Sequence, residues 1–115
     1  MSIKRFKVGQ RMSQAVSYGE TVYLAGQVAD DPNQDVSGQT RQVLNKIDGL
    51  LAEAGTEKSK LLSATIWLAD MRTFEDMNKV WDAWVAPGNS PARATVEAKL
   101  ARANLLVEIG VIAAK

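Results

Sequence analysis

The chain has 115 residues, a length that one hydrophobic core can hold without disulfides or metals. Its 14 Lys and Arg stand against 13 Asp and Glu, interspersed to a net charge of +1, so there is no electrostatic footprint for nucleic acid or an anionic membrane. Cys and His are both absent, which excludes a thiol nucleophile, a disulfide, a thiolate or imidazole metal site and a Ser-His-Asp relay. Chemistry is left to carboxylates, Arg, Lys, Tyr, hydroxyls, backbone groups and water. No stretch approaches the roughly 18 apolar residues of a membrane span, and no apolar signal region follows Met1–Arg5. One soluble, cytoplasmic domain over residues 1–115 is expected.

Along the chain, Tyr18-Gly19-Glu20-Thr21 reads as a turn between strands Ser13–Ser17 and Thr21–Val28. Gly26 interrupts the second strand, the mark of a bulge or of a close backbone approach. Asp30-Asp31-Pro32-Asn33 breaks the sheet; its adjacent carboxylates point different ways, so a turn is a better account than a metal site. From about Asp35 to Ala54, a stripe of Val36, Val43, Leu44, Ile47, Leu50 and Leu51 predicts a helix stopped by Gly55. Ser63–Leu68 is the next strand. Thr73, with Asp76 three residues on, predicts the cap of a second helix. Its stripe of Met77, Val80, Trp81 and Trp84 favours core packing over a stacking platform for bases, and Pro87-Gly88 ends it. Lys58, Lys60 and Arg102 read as solvated charge.

Strands Arg93–Leu100 and Leu105–Ala113 close the chain. A period of two puts Arg93, Thr95 and Glu97 on one face and Ala94, Val96 and Ala98 on the other. The order ββ-α-β-α-ββ is that of an α+β domain: one mixed sheet with two helices on one face. Leu105, Val107, Ile109 and Val111 alternate with Leu106, Glu108, Gly110 and Ile112, so both faces carry apolar residues although the helices cover only one. A homo-oligomer in which the uncovered faces meet is expected, with Arg93 and Glu108 close to the interface. The guanidinium of Arg93 matches a planar carboxylate or phosphate through its fork of donors. Its alternative role is an interface ion pair with Glu97 of its own strand or Glu108 of a neighbour.

Pro91-Ala92-Arg93, the apolar Val96 and Val107-Glu108-Ile109 together resemble the RidA (YjgF) family of reactive enamine/imine deaminases. Ser13-Gln14-Ala15-Val16, Ala25-Gly26-Gln27-Val28, Thr40-Arg41-Gln42-Val43 and Met77-Asn78 extend the likeness over essentially the whole chain. The resemblance implies a chorismate-mutase-like fold, a homotrimer with three clefts between subunits, and no metal or organic cofactor. It also implies hydrolysis of 2-imino acids, of the 2-iminopropanoate and 2-iminobutanoate type, to 2-keto acids and ammonia. Such imines are released by pyridoxal-phosphate dehydratases and damage enzymes if left alone.

Within that resemblance, Arg93 is the arginine that grips the substrate carboxylate and Glu108 the glutamate that handles the attacking water. Gly26 is the glycine whose backbone lies against the substrate, and Asn78 a polar position near the cleft. Met12, Ala25 and Thr95 stand where the best-known deaminases carry Tyr, Ser and Cys, so the wall of the substrate pocket differs. Leu100-Ala101 stands where the family has Leu-Pro. A second function fits the same residues: a cleft that binds small carboxylates such as 2-keto acids without turnover, which needs Arg93 but not Glu108. Members of the family have also been called endoribonucleases, which the near-neutral charge and the absence of His argue against.

Overall fold

The computed structural model describes residues 1–115. Six strands and two helices follow in the order β1 (Ile3–Val8), β2 (Ser13–Tyr18), β3 (Thr21–Leu24), α1 (Val36–Glu53), β4 (Leu61–Leu68), α2 (Phe74–Trp84), β5 (Ala92–Glu97) and β6 (Val107–Ala114). They form one mixed sheet of order β1-β2-β3-β6-β4-β5, antiparallel except for the parallel pair β4 and β5. This is the expected α+β architecture. No helix is long and apolar enough to cross a membrane.

Helix α1 begins where Asp35 accepts a hydrogen bond from the Gly38 N–H, 2.9 Å away. It ends in a Schellman motif: Gly55, at φ +85°, donates to Ala52, and Thr56 donates to Leu51. All six residues of its predicted stripe are buried, against Val22, Ile66, Leu68, Val107 and Ile109 of the sheet and Met77 and Trp81 of α2. The core thus lies wholly between the helices and one face of the sheet.

Several expectations need correction. The strand β1 was not apparent in the sequence, because Lys4, Arg5 and Lys7 interrupt any alternation and only Phe6 is buried; such charge is how an edge strand is protected. Strand β3 stops at Leu24 instead of running to Val28, and pairing resumes only at a bridge between Gln27 and Ile109. The last two strands are Ala92–Glu97 and Val107–Ala114, since Leu106 spends its N–H on the side chain of Gln39 rather than on a ladder. Thr73 does not cap α2: its hydroxyl turns back to donate to the Asp70 carbonyl, 2.7 Å away. Lys58 is not free surface charge, because its ammonium donates to the Trp84 carbonyl.

Candidate active site

Arg93 and Thr95 stand on the edge strand β5, in register with Ala64 and Ile66, and therefore on the helix-covered face. Helix α2 presents Phe74, Asn78 and Trp81 along one stripe above them. The guanidinium carbon of Arg93 lies 5.8 Å from the Phe74 ring and 5.4 Å from the Trp81 ring. Both separations are within cation–π range, so the rings hold the cation without using its hydrogen-bond donors. Arg93 makes no ion pair or hydrogen bond within the chain. Glu97, its possible partner on the same strand, instead accepts from the Met71 N–H at 2.9 Å. Beside the guanidinium, Thr95 Oγ1 and Asn78 Oδ1 are both buried and both lack a hydrogen-bond partner. Buried polar atoms in folded proteins are nearly always satisfied, so these two each have a hydrogen bond left for water or for a group outside the chain.

Glu108 belongs to a different surface. It sits on β6 opposite Trp67 of β4, facing away from the helices. Gln27 fixes its neighbourhood: its main chain exchanges hydrogen bonds with Ile109 at 2.8 and 3.1 Å. Its buried side-chain amide donates to Gln14 and to the Ala25 carbonyl. These bonds seat Gly26 against the Glu108 side chain so closely that a Cβ at position 26 would overlap the carboxylate. The close backbone approach expected at Gly26 is therefore present, and the group that approaches is Glu108. The carboxylate has neither an ion pair nor a hydrogen bond within the chain. Met12 lies in the loop between β1 and β2, on the wall of a cleft of about 540 Å³ that it shares with Lys7, Arg11 and Gln14.

The predicted residues thus fall into two halves. Arg93, Thr95 and Asn78 gather on the covered side of β5, and Gly26, Ala25 and Glu108 gather on the open side of β6. Two strand spacings, roughly 10 Å, and the thickness of the sheet separate them. One chain cannot close both halves on a small molecule. None of its three principal clefts holds Arg93 or Glu108. Phe74 was not anticipated from the sequence, and Trp81 was read only as core. Their spacing of seven around Asn78 is the signal that places all three on one stripe. No three metal-ligating side chains converge anywhere in the chain. At the end of β4, a hydrogen bond from the Arg72 guanidinium holds the exposed Asp70 carboxyl below the usual carboxylate range, and Asp70 raises Arg72 in return.

A family model described as endoribonuclease L-PSP matches residues 2–115. Among curated proteins, a RutC family protein of Haemophilus ducreyi is 47% identical over 112 residues, spanning 97% of this chain and 96% of its own length. The RutC family protein YoaB of Escherichia coli is 42% identical over 99% of both chains. Among solved structures, a member of the YjgF protein family from Neisseria meningitidis superimposes with a TM-score of 0.98 at 45% identity, covering 100% of this chain and 96% of that one.

Proposed function

The chain belongs to the endoribonuclease L-PSP family, whose members here are called RutC or YjgF proteins, and from that premise we propose that it is a 2-imino acid deaminase. Its substrates are reactive 2-imino or enamine acids of the iminopropanoate and iminobutanoate type, its products a 2-keto acid and ammonia, and its working compartment the cytoplasm. The observation that carries this reading is the free guanidinium of Arg93, held by two aromatic rings with its donors unspent and two orphaned polar atoms beside it.

The reaction suits a chain without His or Cys. An imine is already electrophilic, so catalysis needs orientation and one proton shuttle. Arg93 grips the substrate carboxylate through a charge-assisted fork, with Thr95 and Asn78 on its flank. Glu108 holds a water molecule and takes its proton as oxygen bonds to the imine carbon. The resulting carbinolamine collapses when the protonated Glu108 returns that proton to nitrogen. As the C–N bond breaks, the Glu108 carboxylate takes the hydroxyl proton so that the C=O forms. The 2-keto acid and ammonia leave, and Glu108 passes that proton to ammonia or solvent. Gly26 leaves room beside the carboxylate, while Met12 and Ala25 shape the wall around the substrate side chain.

Because Arg93 and Glu108 lie on opposite faces of one sheet, the working site needs Arg93 from one copy and Glu108 from another. That contact joins two different patches of the protein, and repeated by rotation it closes into a ring. We propose a ring of three, with three equivalent clefts. Light scattering should give three times the 12.5 kDa chain mass, and a stable monomer would remove the site. The direct test generates 2-iminopropanoate in situ and follows its loss. The wild type should accelerate it. Arg93→Ala should lower kcat/KM by roughly 10² to 10⁴-fold, the worth of two charge-assisted hydrogen bonds. A wild-type rate equal to the spontaneous one ends the deaminase reading.

A further inference from the structure

A second groove in the molecule gathers three cations, and the reaction above makes no use of it. The groove between the outer sides of α1 and α2 encloses about 470 Å³. Three cations, Arg41, Lys58 and Lys79, are among its lining residues, and no carboxylate is. Two cations elsewhere pair with acids, Lys46 with Asp30 at 2.9 Å and Arg72 with Asp70 at 2.6 Å. Arg41 and Lys79 have no ion pair and no hydrogen bond to the chain.

Arg41 is the odd member of the stretch Thr40–Val43. Thr40 donates its hydroxyl to the Val36 carbonyl, Gln42 clamps the main chain of Asp31 from both sides, and Val43 is fully buried. Each of these holds the fold together, and Arg41 does not. The groove around it is rigid. Trp84 donates its indole N–H to Asp48 at 3.0 Å and packs on Trp81, with 5.3 Å between ring centroids. Lys58 lies 5.2 Å above the Trp84 ring and is bonded to its carbonyl. Buried Leu44 and half-buried Val80 form an apolar floor.

We infer that this groove binds a small phosphate monoester, its dianion held by Arg41, Lys79 and Lys58 and its organic part lying on Leu44, Val80 and the edge of Trp84. The volume suits a ligand of that size. Three cations lining one groove with no acid among them favour a dianion over a single carboxylate, and Arg41 can meet phosphate oxygens in a bidentate way. The groove lies on the outer side of the helical layer and shares no residue with the deaminase site. It therefore stays clear of the contact that brings Arg93 of one copy to Glu108 of another.

The test is a titration of the isotope-labelled, assembled protein with phenyl phosphate, followed by NMR at about pH 7.5, where the ester is a dianion. Inorganic phosphate and phenol serve as the anion-only and body-only arms. Saturable shifts of the Trp84 indole N–H and of the Arg41 and Lys79 amides are expected, with phenyl phosphate binding more tightly than either arm. Arg41→Gln with Lys79→Gln should weaken binding roughly tenfold or more without changing thermal stability, because neither side chain has a partner to lose. Lys99→Gln with Lys115→Gln, which removes the same charge elsewhere, should leave it unchanged. The inference is overturned if no shift saturates at Trp84 by about 10 mM, or if shifts are confined to the surroundings of Arg93 and Glu108. Equal weakening by both double variants overturns it too, as does tighter binding of a short RNA with a steep salt slope. None of these outcomes bears on imine hydrolysis, which has its own assay.

Discussion

The two faces of the sheet are written on the same strands, yet they are different surfaces. On the covered face, Val22, Ile66, Leu68, Val107 and Ile109 are completely withdrawn from water. Their neighbours on the open face, Tyr23, Thr65, Trp67, Glu108 and Ile112, remain exposed or half-buried. Burying each large apolar side chain fully is worth about 1.5–3 kcal/mol, so the covered face holds the fold together within one chain. The open face carries apolar bulk that nothing in the chain covers, and the candidate carboxylate sits in the middle of it. Strand alternation has thus separated the part that stabilises the chain from the part that the chain leaves uncovered. Arg93 crosses this division. It is on the covered face but on the edge strand β5, where the core gives way to the rings of Phe74 and Trp81.

The largest effect that probes the contrast is expected from Glu108→Gln. Glu108 has no partner inside the chain, so the amide should fold and assemble normally. It cannot accept a proton from water, and kcat should fall roughly 10² to 10⁴-fold while binding of a 2-keto acid persists. Arg93→Ala should instead weaken binding as well. If Glu108→Gln retains the wild-type rate while Arg93→Ala loses it, the open face contributes no proton shuttle, and the cleft speeds hydrolysis through its hold on the substrate carboxylate.

The next comparison takes one isoleucine from each face. Ile66→Ala removes a fully buried side chain between helices and sheet, and should cost about 2–5 kcal/mol in urea unfolding, whatever the protein concentration. Ile112→Ala, on the open face opposite Tyr23 and Ser63, should cost little within the chain but weaken assembly. Its stability loss should therefore grow on dilution, as mass action requires when folding and association are linked. A concentration-independent loss for Ile112→Ala would mean that no copy of the chain covers the open face.

How far the sequence reaches follows the same division. The stripe of α1 was legible because a single helical face meets a single core, and one period describes it. The strand β1 was hidden, because an edge strand built from Lys4, Arg5 and Lys7 gains its place from pairing with β2 and not from burial. Arg93 and Glu108 could be singled out by residue type, spacing and family resemblance. Their placement on opposite faces could not, since it depends on which side of β5 the helices cover and on the parallel pairing of β4 with β5. Phe74 and Trp81 were missed for a related reason: a residue that packs in the core and also borders a site carries only the core signal in its periodicity.

Gly26→Ala makes the smallest and most selective change to the open face. The φ of Gly26 is not among the positive values, which occur at Gly19, Gly55 and Gly88, so alanine is acceptable to its backbone. The three atoms nearest the added methyl all belong to the Glu108 side chain, whose Cγ would lie 3.1 Å away and whose carboxylate lies closer still. That side chain can swing outward, so the melting temperature should hardly change. The carboxylate would leave the position from which it holds water, and a displacement of about 1 Å at a reacting group can cost 10²-fold. Activity should therefore fall by roughly that factor while stability and the mass of the assembly stay as in the wild type. Gly26→Ala combined with Glu108→Gln should be no slower than Glu108→Gln alone, because both act through one group. Full additivity would mean that Gly26 touches the substrate by its own backbone and not through Glu108.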